Sequence, residues 1–159
     1  MPVQPSLDRY DEAILEILQR DNATPQRVIA EAVSLSAPAV QRRIRRLQES
    51  GVIRANVSLL DPDKVGLPLT ILIAVQVVSE RVADVAPFQR RLQEESAVQQ
   101  CYTVAGETDY VLIVSVKSMQ AYEELTNRLF GDDDNIKHFR TSVALKRLKV
   151  GTAVPLDQR

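Results

Sequence analysis

Two short stretches of this chain carry residue types whose spacing could do chemistry. The first is Gln41-Arg42-Arg43 followed by Arg45-Arg46. Guanidinium groups grip phosphate, or the acceptor edge of guanine, through two parallel N–H bonds, and a glutamine amide can read adenine in the same manner. The chemistry implied is recognition of nucleic acid. The second stretch is Ala105-Gly106-Glu107-Thr108-Asp109-Tyr110. It offers backbone N–H groups for a carboxylate, two acids for an ammonium group and hydroxyls nearby, the parts needed to hold an α-amino acid. On spacing alone it reads first as a hairpin turn, with Gly106 supplying a positive φ and Thr108 and Asp109 satisfying backbone groups. Catalytic chemistry has little support. The one histidine, His138, stands beside Lys137 in an expected strand, and no Cys-x-x-Cys, His-x-x-x-His or Walker-type loop is present. The acidic run Gly131-Asp132-Asp133-Asp134-Asn135 lacks the alternating ligands of a calcium loop. No metal and no cofactor is expected.

The arginines need a rigid carrier, and their surroundings supply one. Ser36 is a good N-cap, Pro38 is tolerated in a first turn, and Gly51 can adopt the left-handed conformation that ends a helix. At helical spacing Val40, Ile44 and Leu47 form an inward stripe, and Pro38, Arg42, Arg45 and Glu49 lie opposite, flanked by Gln41 and Arg46. Between Ser36 and Gly51 four arginines face one glutamate, a local charge of +3 in a chain whose net charge is -1.

Upstream, the spacing predicts a helix over Leu7 to Arg20, capped by Ser6 or Asp8, with Leu7, Ile14, Ile17 and Leu18 inward. Asp21-Asn22-Ala23 ends it. Thr24 and Pro25 start a second, short helix to about Val33, with Val28, Ile29 and Ala32 as its inner face. A turn of two or three residues then leads into the Ser36 helix. Two short helices so closely joined, the second bearing the arginines, form a helix-turn-helix, in which the second helix enters the major groove. The DNA-facing set is therefore Ser36 at the helix start, then Ala37, Pro38, Gln41, Arg42 and Arg45. Arg46 and Arg54 are assigned to phosphates. Residues 1 to 60 hold eight arginines and no lysine against seven acids. Local placement, not bulk charge, carries this reading.

The remaining composition is that of a globular protein, with 45% hydrophobic and 26% charged residues among 159. A lone cysteine, Cys101, cannot form an internal disulfide, which points to a reducing cytoplasm. Met1 to Pro5 lacks the features of a signal peptide, and the apolar stretch Leu67 to Val78 is too short to span a bilayer as a helix. No membrane association is expected.

Gly51 to Leu60 reads as a short strand or hinge, and Asp61 to Pro68 as a linker. Beyond it the period changes to two: strand Leu69 to Val78, helix Ala83 to Glu95 with Val85, Phe88 and Leu92 inward, strand Val98 to Ala105, strand Tyr110 to Val116, helix Met119 to Phe130, and an extended segment from about Asn135 to Lys149. The order βαββαβ is the ferredoxin-like arrangement of an antiparallel sheet with helices on one face. Both faces of the first strand are apolar, Leu69, Ile71, Ile73, Val75 and Val77 alternating with Leu72, Ala74 and Val78. Val111 and Ile113 repeat the pattern opposite Tyr110, Leu112, Val114 and Val116. An uncovered apolar sheet face predicts face-to-face dimerisation, which would also present two reading helices to a palindromic site.

Leu7-Asp8, Asp11, Ile14-Leu15, Leu18-Gln19, Leu35-Ser36, Val40, Arg43-Ile44, Leu47 and Gly51-Val52-Ile53 resemble the DNA-binding half of the leucine-responsive and asparagine-responsive regulators, the Lrp/AsnC family. Gly106-x-x-Asp109-Tyr110 is similar to the hallmark loop of that family's ligand-binding domain. Ser34 departs from the pattern, which usually has glycine between the two helices. The resemblance implies an α+β chain: a winged-helix-like helix-turn-helix domain over 1–60, a linker over 61–68, and a βαββαβ effector-binding and oligomerisation domain over 69–159. It implies a cytoplasmic transcriptional regulator, not an enzyme, that binds amino acids between dimers and assembles as dimers, tetramers or octamers. Carried over by position, the implied effector pocket is Thr103, Gly106, Glu107, Thr108 and Asp109, with Met119 and with Ser142, Val143 and Ala144. Ser142 stands where relatives commonly hold a bulkier residue. Two alternatives stay open at this point: an architectural DNA-binding protein without a ligand, and a tetrapyrrole decarboxylase of similar two-domain fold.

Overall fold

The computed structural model describes residues 6–156. The reading of Met1 to Pro5, and the last three positions of the expected 69–159 domain, lie outside the described residues. The chain divides into two compact units. One runs through Ser58 and includes the segment from Lys149 onward; the other is Leu59–Leu148.

In the first unit, α1 (Arg9–Arg20), α2 (Gln26–Val33) and α3 (Ala37–Glu49) follow one another. Asp8 is the α1 N-cap. Its carboxylate accepts from the Tyr10 and Asp11 N–H groups at 2.9 Å, and Asp11 reaches back to the Asp8 N–H at 3.2 Å, completing a capping box. Ser36 caps α3 by accepting from the Ala39 N–H, Pro38 lies in the first turn, and Gly51 beyond the last turn has φ 75°. The expected start and stop are both observed.

Between α2 and α3, Ser34 adopts the left-handed conformation, φ 56° and ψ 45°, and the Leu35 N–H donates to the Ala30 carbonyl at 3.0 Å. This is a Schellman-type end, built on serine where glycine would be unstrained. Ile14, Ile29, Ala30, Val33 and Val40 form the core, joined by the partly buried Ile17, Leu18, Leu35 and Ile44. The inner face of α2 therefore differs from the expected Val28, Ile29 and Ala32. Val28 is 46% exposed and Ala32 is exposed, whereas Ala30 and Val33 are buried. Five of the eight residues of α2 are apolar, so periodicity admits more than one inward stripe, and packing against the neighbouring helices selects it.

Gly51 to Leu60 forms no strand, and Val57, Leu59 and Leu60 are exposed. The C-terminal segment also differs from expectation. It groups with the first unit, where Val154 and the Gln19 side chain exchange two hydrogen bonds, at 3.0 and 2.6 Å.

The second unit is β1 (Leu69–Val77), α4 (Val82–Glu94), β2 (Val98–Thr103), β3 (Tyr110–Val116), α5 (Met119–Phe130) and β4 (Ile136–Val143). The strands form one antiparallel sheet in the order β2-β3-β1-β4. The βαββαβ reading is thus the observed fold. Ile71, Ile73, Val75 and Val77 pack with Leu112, Val114 and Val116 beneath Val85, Phe88 and Leu92 of α4 and Tyr122, Leu125 and Leu129 of α5. Phe88 meets Tyr110 edge to face, ring centres 5.3 Å apart.

Register defines the opposite face. Leu72 pairs with Ile113 on one side and Ser142 on the other; Ala74 pairs with Val111 and Arg140. Facing residues of an antiparallel pair share a side of the sheet. The helix-free face is therefore apolar at the centre of its two inner strands, with Thr70, Ser115 and Gln76 toward their ends, and is bordered by Gln100, Tyr102, His138, Arg140 and Ser142.

Candidate nucleic-acid interface and ligand loop

Helix α3 is fastened by its own charges. Asp11 is fully buried in α1, and its carboxylate accepts from Arg43 at 2.8 Å and from Arg46. Asp8 adds a second acceptor for Arg43 at 2.7 Å. For Asp8, burial works to raise the carboxyl pKa, but the Asp11 N–H, the Arg43 guanidinium and the Tyr10 N–H together hold it below its ordinary value. The Arg43 guanidinium is correspondingly raised, first by its bond to Asp8 and then by that to Asp11. One turn of α1 thus clamps the middle of α3.

Subtracting the clamp shows what is left for a ligand. Gln41 and Arg42 are exposed and have no hydrogen-bond or ionic partner among the described residues. Arg45 pairs with Glu49 at 2.8 Å, but both side chains are well exposed, so the pair is weak and readily exchanged. Arg46 combines its bond to Asp11 with a side chain 55% exposed. Pro38 is exposed, Ala37 half-buried, and the Ser36 hydroxyl is occupied by capping. Arg54 is exposed beyond the helix. The pairing of Asp11 with Arg43 was not anticipated. An acid one turn into α1 reads as a macrodipole partner, and the available signal was a pair of arginines three apart, Arg43 and Arg46, on the flank of α3 that borders α1.

The 104–109 loop is similarly committed. The Val104 N–H donates to the Asp109 carbonyl at 3.0 Å, and the Asp109 N–H to the Val75 carbonyl at 2.9 Å. The Asp109 carboxylate accepts from the Val77 N–H at 2.8 Å, where the β1–β4 register slips between Gln76 and Val77. The Thr108 hydroxyl donates to the Val75 carbonyl at 2.6 Å. Gly106 has φ 151° and Glu107 is exposed, with no partner among the described residues. The loop therefore joins the end of β1, and of its two acids only Glu107 is free.

The implied effector residues fall into two groups. Thr103, which pairs with Tyr110, and Gly106 to Asp109 lie by Val75 to Val77. Ser142 and Val143 lie opposite Leu72 and Ile71, Ala144 is bonded to Thr70, and Met119 opens α5 just after the end of β3 that pairs with Leu69. Three residues of strand separate Leu72 from Val75, roughly 10 Å. One copy of the chain does not bring the two groups together. Near Thr103 a cavity of about 350 Å³ lies between α4 and β2, lined by Gln89, Gln93, Gln100 and Cys101. Partial burial raises the Cys101 thiol above its ordinary pKa, which disfavours the nucleophilic thiolate. Among the described residues no group of three or more His, Cys, Asp or Glu side chains could hold a metal ion.

A capped helix-turn-helix with a free polar face, carried by a chain whose second unit is a βαββαβ sheet, is the architecture of a DNA-binding transcriptional regulator. Comparison with known proteins gives the family. Residues 70–154 match the Lrp/AsnC ligand binding domain, and residues 7–54 match a winged helix-turn-helix DNA-binding domain. The chain belongs to the Lrp/AsnC family of transcriptional regulators. It is 40% identical over 151 residues to an uncharacterised HTH-type transcriptional regulator of Sinorhizobium fredii, covering 95% of this chain and 89% of that one. Among solved structures, an AsnC family transcriptional regulator from Agrobacterium tumefaciens superposes with a TM-score of 0.90 at 33% identity, covering 95% and 98% of the two chains. A transcriptional regulator from Neisseria meningitidis, solved as a complex with L-Met, superposes with a TM-score of 0.89 at 28% identity, covering 96% and 98%. The relatives and the matched domains are those of transcriptional regulators and not of enzymes, which removes the decarboxylase alternative. Among the described residues no helix is long and apolar enough to cross a membrane.

Proposed function

We propose that this regulator works in the cytoplasm as a homo-oligomer, reads a specific duplex sequence through α3, and changes its assembly when an α-amino acid or a related small metabolite binds. The observation that carries the DNA reading is the exposed pair Gln41 and Arg42, unpartnered among the described residues on a helix whose Arg43 and Arg46 are held by Asp11. Gln41, Arg42 and Arg45 contact base edges, Ser36, Ala37 and Pro38 approach the groove, and Arg46 and Arg54 meet phosphates. The helix-free sheet face supports a dimer, because Leu72, Ala74, Val111 and Ile113 form an apolar strip that a second copy would cover. The neighbour solved with L-Met supports an amino acid as effector. Since the implied pocket residues lie at opposite ends of β1, the pocket is completed between copies: Thr103 and Gly106 to Asp109 come from one, Met119 and Ser142 to Ala144 from another. Ligand binding would then favour one assembly over another, and avidity would turn that bias into a change in DNA occupancy.

A competition assay with selected and random duplexes at fixed salt tests the first half. Arg42→Ala should lower sequence preference, whereas Arg46→Ala should weaken all duplexes similarly and flatten the salt dependence. Equal affinity for selected and random duplex would refute specific reading. Thermal unfolding against each common amino acid tests the second half. A ligand at about 100 times its dissociation constant stabilises by roughly 2.7 kcal/mol, and Glu107→Gln, which breaks no internal bond, should reduce the response. One observation favours a ligand-free architectural role: Thr108 and Asp109 already bond to β1, as a purely structural turn requires. That reading predicts no thermal shift with any amino acid and no change in sedimentation.

A further inference from the structure

A second polar cleft lies at the other end of the sheet, where the chain enters β1 and leaves β4. A cavity of about 410 Å³ is lined there by Asp63, Thr70, Lys146 and Arg147, among others. Arg147 is three-quarters buried. One of its terminal nitrogens, Nη2, bonds to the Asp63 carboxylate, while Nη1 is buried with no acceptor among the described residues. Buried donors are normally satisfied, and a guanidinium is built to place two parallel N–H bonds on one planar or tetrahedral oxyanion. Asp63 fills only half of that capacity. Its own side chain is 56% exposed on a turn, so it is free to swing away. Lys146 adds an exposed ammonium with no partner among the described residues, and Thr70 lines the same cavity. Two cations against one carboxylate leave the site with a surplus positive charge.

We propose that this cleft is a second ligand site, taking the phosphate group of a small anionic metabolite, with Arg147 exchanging Asp63 for the anion and Lys146 as the second cation. The cavity is larger than one phosphate, so it suits a phosphorylated compound more than the bare ion. Only Ala144 is shared with the implied amino acid pocket, so the proposal does not rest on the amino acid reading. A DNA phosphate presents the same chemistry, and the test separates the two sources.

Inorganic phosphate is titrated calorimetrically into the full chain, with chloride holding ionic strength constant, and duplex DNA is titrated separately. Saturable binding of one phosphate per chain is expected. Lys146→Gln should weaken it about tenfold, as loss of one charge-assisted contact implies, and Asp63→Asn should tighten it several-fold by releasing Arg147. Both changes are at exposed side chains, and circular dichroism checks that both variants fold. Glu107→Gln should leave phosphate binding unchanged, so loss of the amino acid response and loss of this site are read separately. Absence of saturable heat, or identical affinities in the wild type and both variants, overturns the proposal. So does weakened duplex binding by Lys146→Gln without any phosphate binding, because the cleft would then be a backbone contact.

Discussion

Asp11 and Asp109 are both carboxylates at the edge of a functional surface, and the structure uses them in opposite ways. Asp11 lies fully buried between two arginines and fixes α3, the helix proposed to read DNA. Asp109, in the loop implied to bind effector, accepts a backbone N–H of β1 and fixes a strand end. The first builds a rigid support behind a face whose outward residues stay free. The second occupies the very group a ligand would need. A surface offers its ligand only the polar groups that its own scaffold leaves unbonded, which makes Gln41, Arg42 and Glu107 the informative residues and ranks Asp109 below them.

The comparison breaks most sharply at Asp11. Asp11→Ala would remove the buried acceptor shared by Arg43 and Arg46, leaving Arg43 with Asp8 alone, and hydrogen bonds to charged groups contribute about 1.5–3 kcal/mol each. Urea unfolding should show that loss, together with weaker binding to every duplex, because α3 is no longer held. Unchanged stability would mean that solvent replaces the clamp. Asp109→Ala strands the Val77 N–H, a smaller penalty of about 1–2 kcal/mol. Asp109→Asn keeps an acceptor oxygen and should recover most of it. If Asn restores stability but not the amino acid response, the charge of Asp109 has a role beyond bracing β1.

Much of this was legible because its causes are local. Ser36, Pro38 and Gly51 mark the ends of α3 within its own sequence, and the alternation of β1 and β3 follows from the two-residue period. What escaped depends on partners far along the chain. Asp11 meets Arg43 thirty-two positions away and Asp109 meets Val77 at the same separation, so no window of sequence contains either bond. The inner face of α2 differs from expectation for a related reason: with Val28, Ile29, Ala30, Ala32 and Val33 all apolar, the choice among them belongs to the helices packed against it. Gly51 to Leu60 has enough apolar residues for a strand, yet it pairs with no strand among the described residues.

Ser34 tests whether a departure from pattern is strain or accommodation. Its left-handed φ of 56° burdens a side chain that glycine lacks, and no other non-glycine residue among those described has a positive φ. Ser34→Gly should stabilise by about 0.5–1 kcal/mol, the gain being reduced by glycine's greater freedom in the unfolded chain. A destabilised variant would show that the serine makes up for its conformation.

The smallest expected effect concerns Asp8 and acid. Its folded pKa lies below the ordinary 3.8, so the unfolded chain takes up a proton at this position before the folded one does. The stability it contributes is therefore fully present above the unfolded value and is lost as pH falls through about 4 and below. Asp8→Asn keeps an oxygen to cap α1 but cannot titrate. Compared with the wild type between pH 6 and about pH 3, its stability should fall less steeply, and the two curves should converge at the acid end. The difference should be small, because Asp8 is half exposed and solvent screens its bond to Arg43. A difference as large as that of Asp11→Ala would place the centre of the clamp at its exposed acid instead of its buried one.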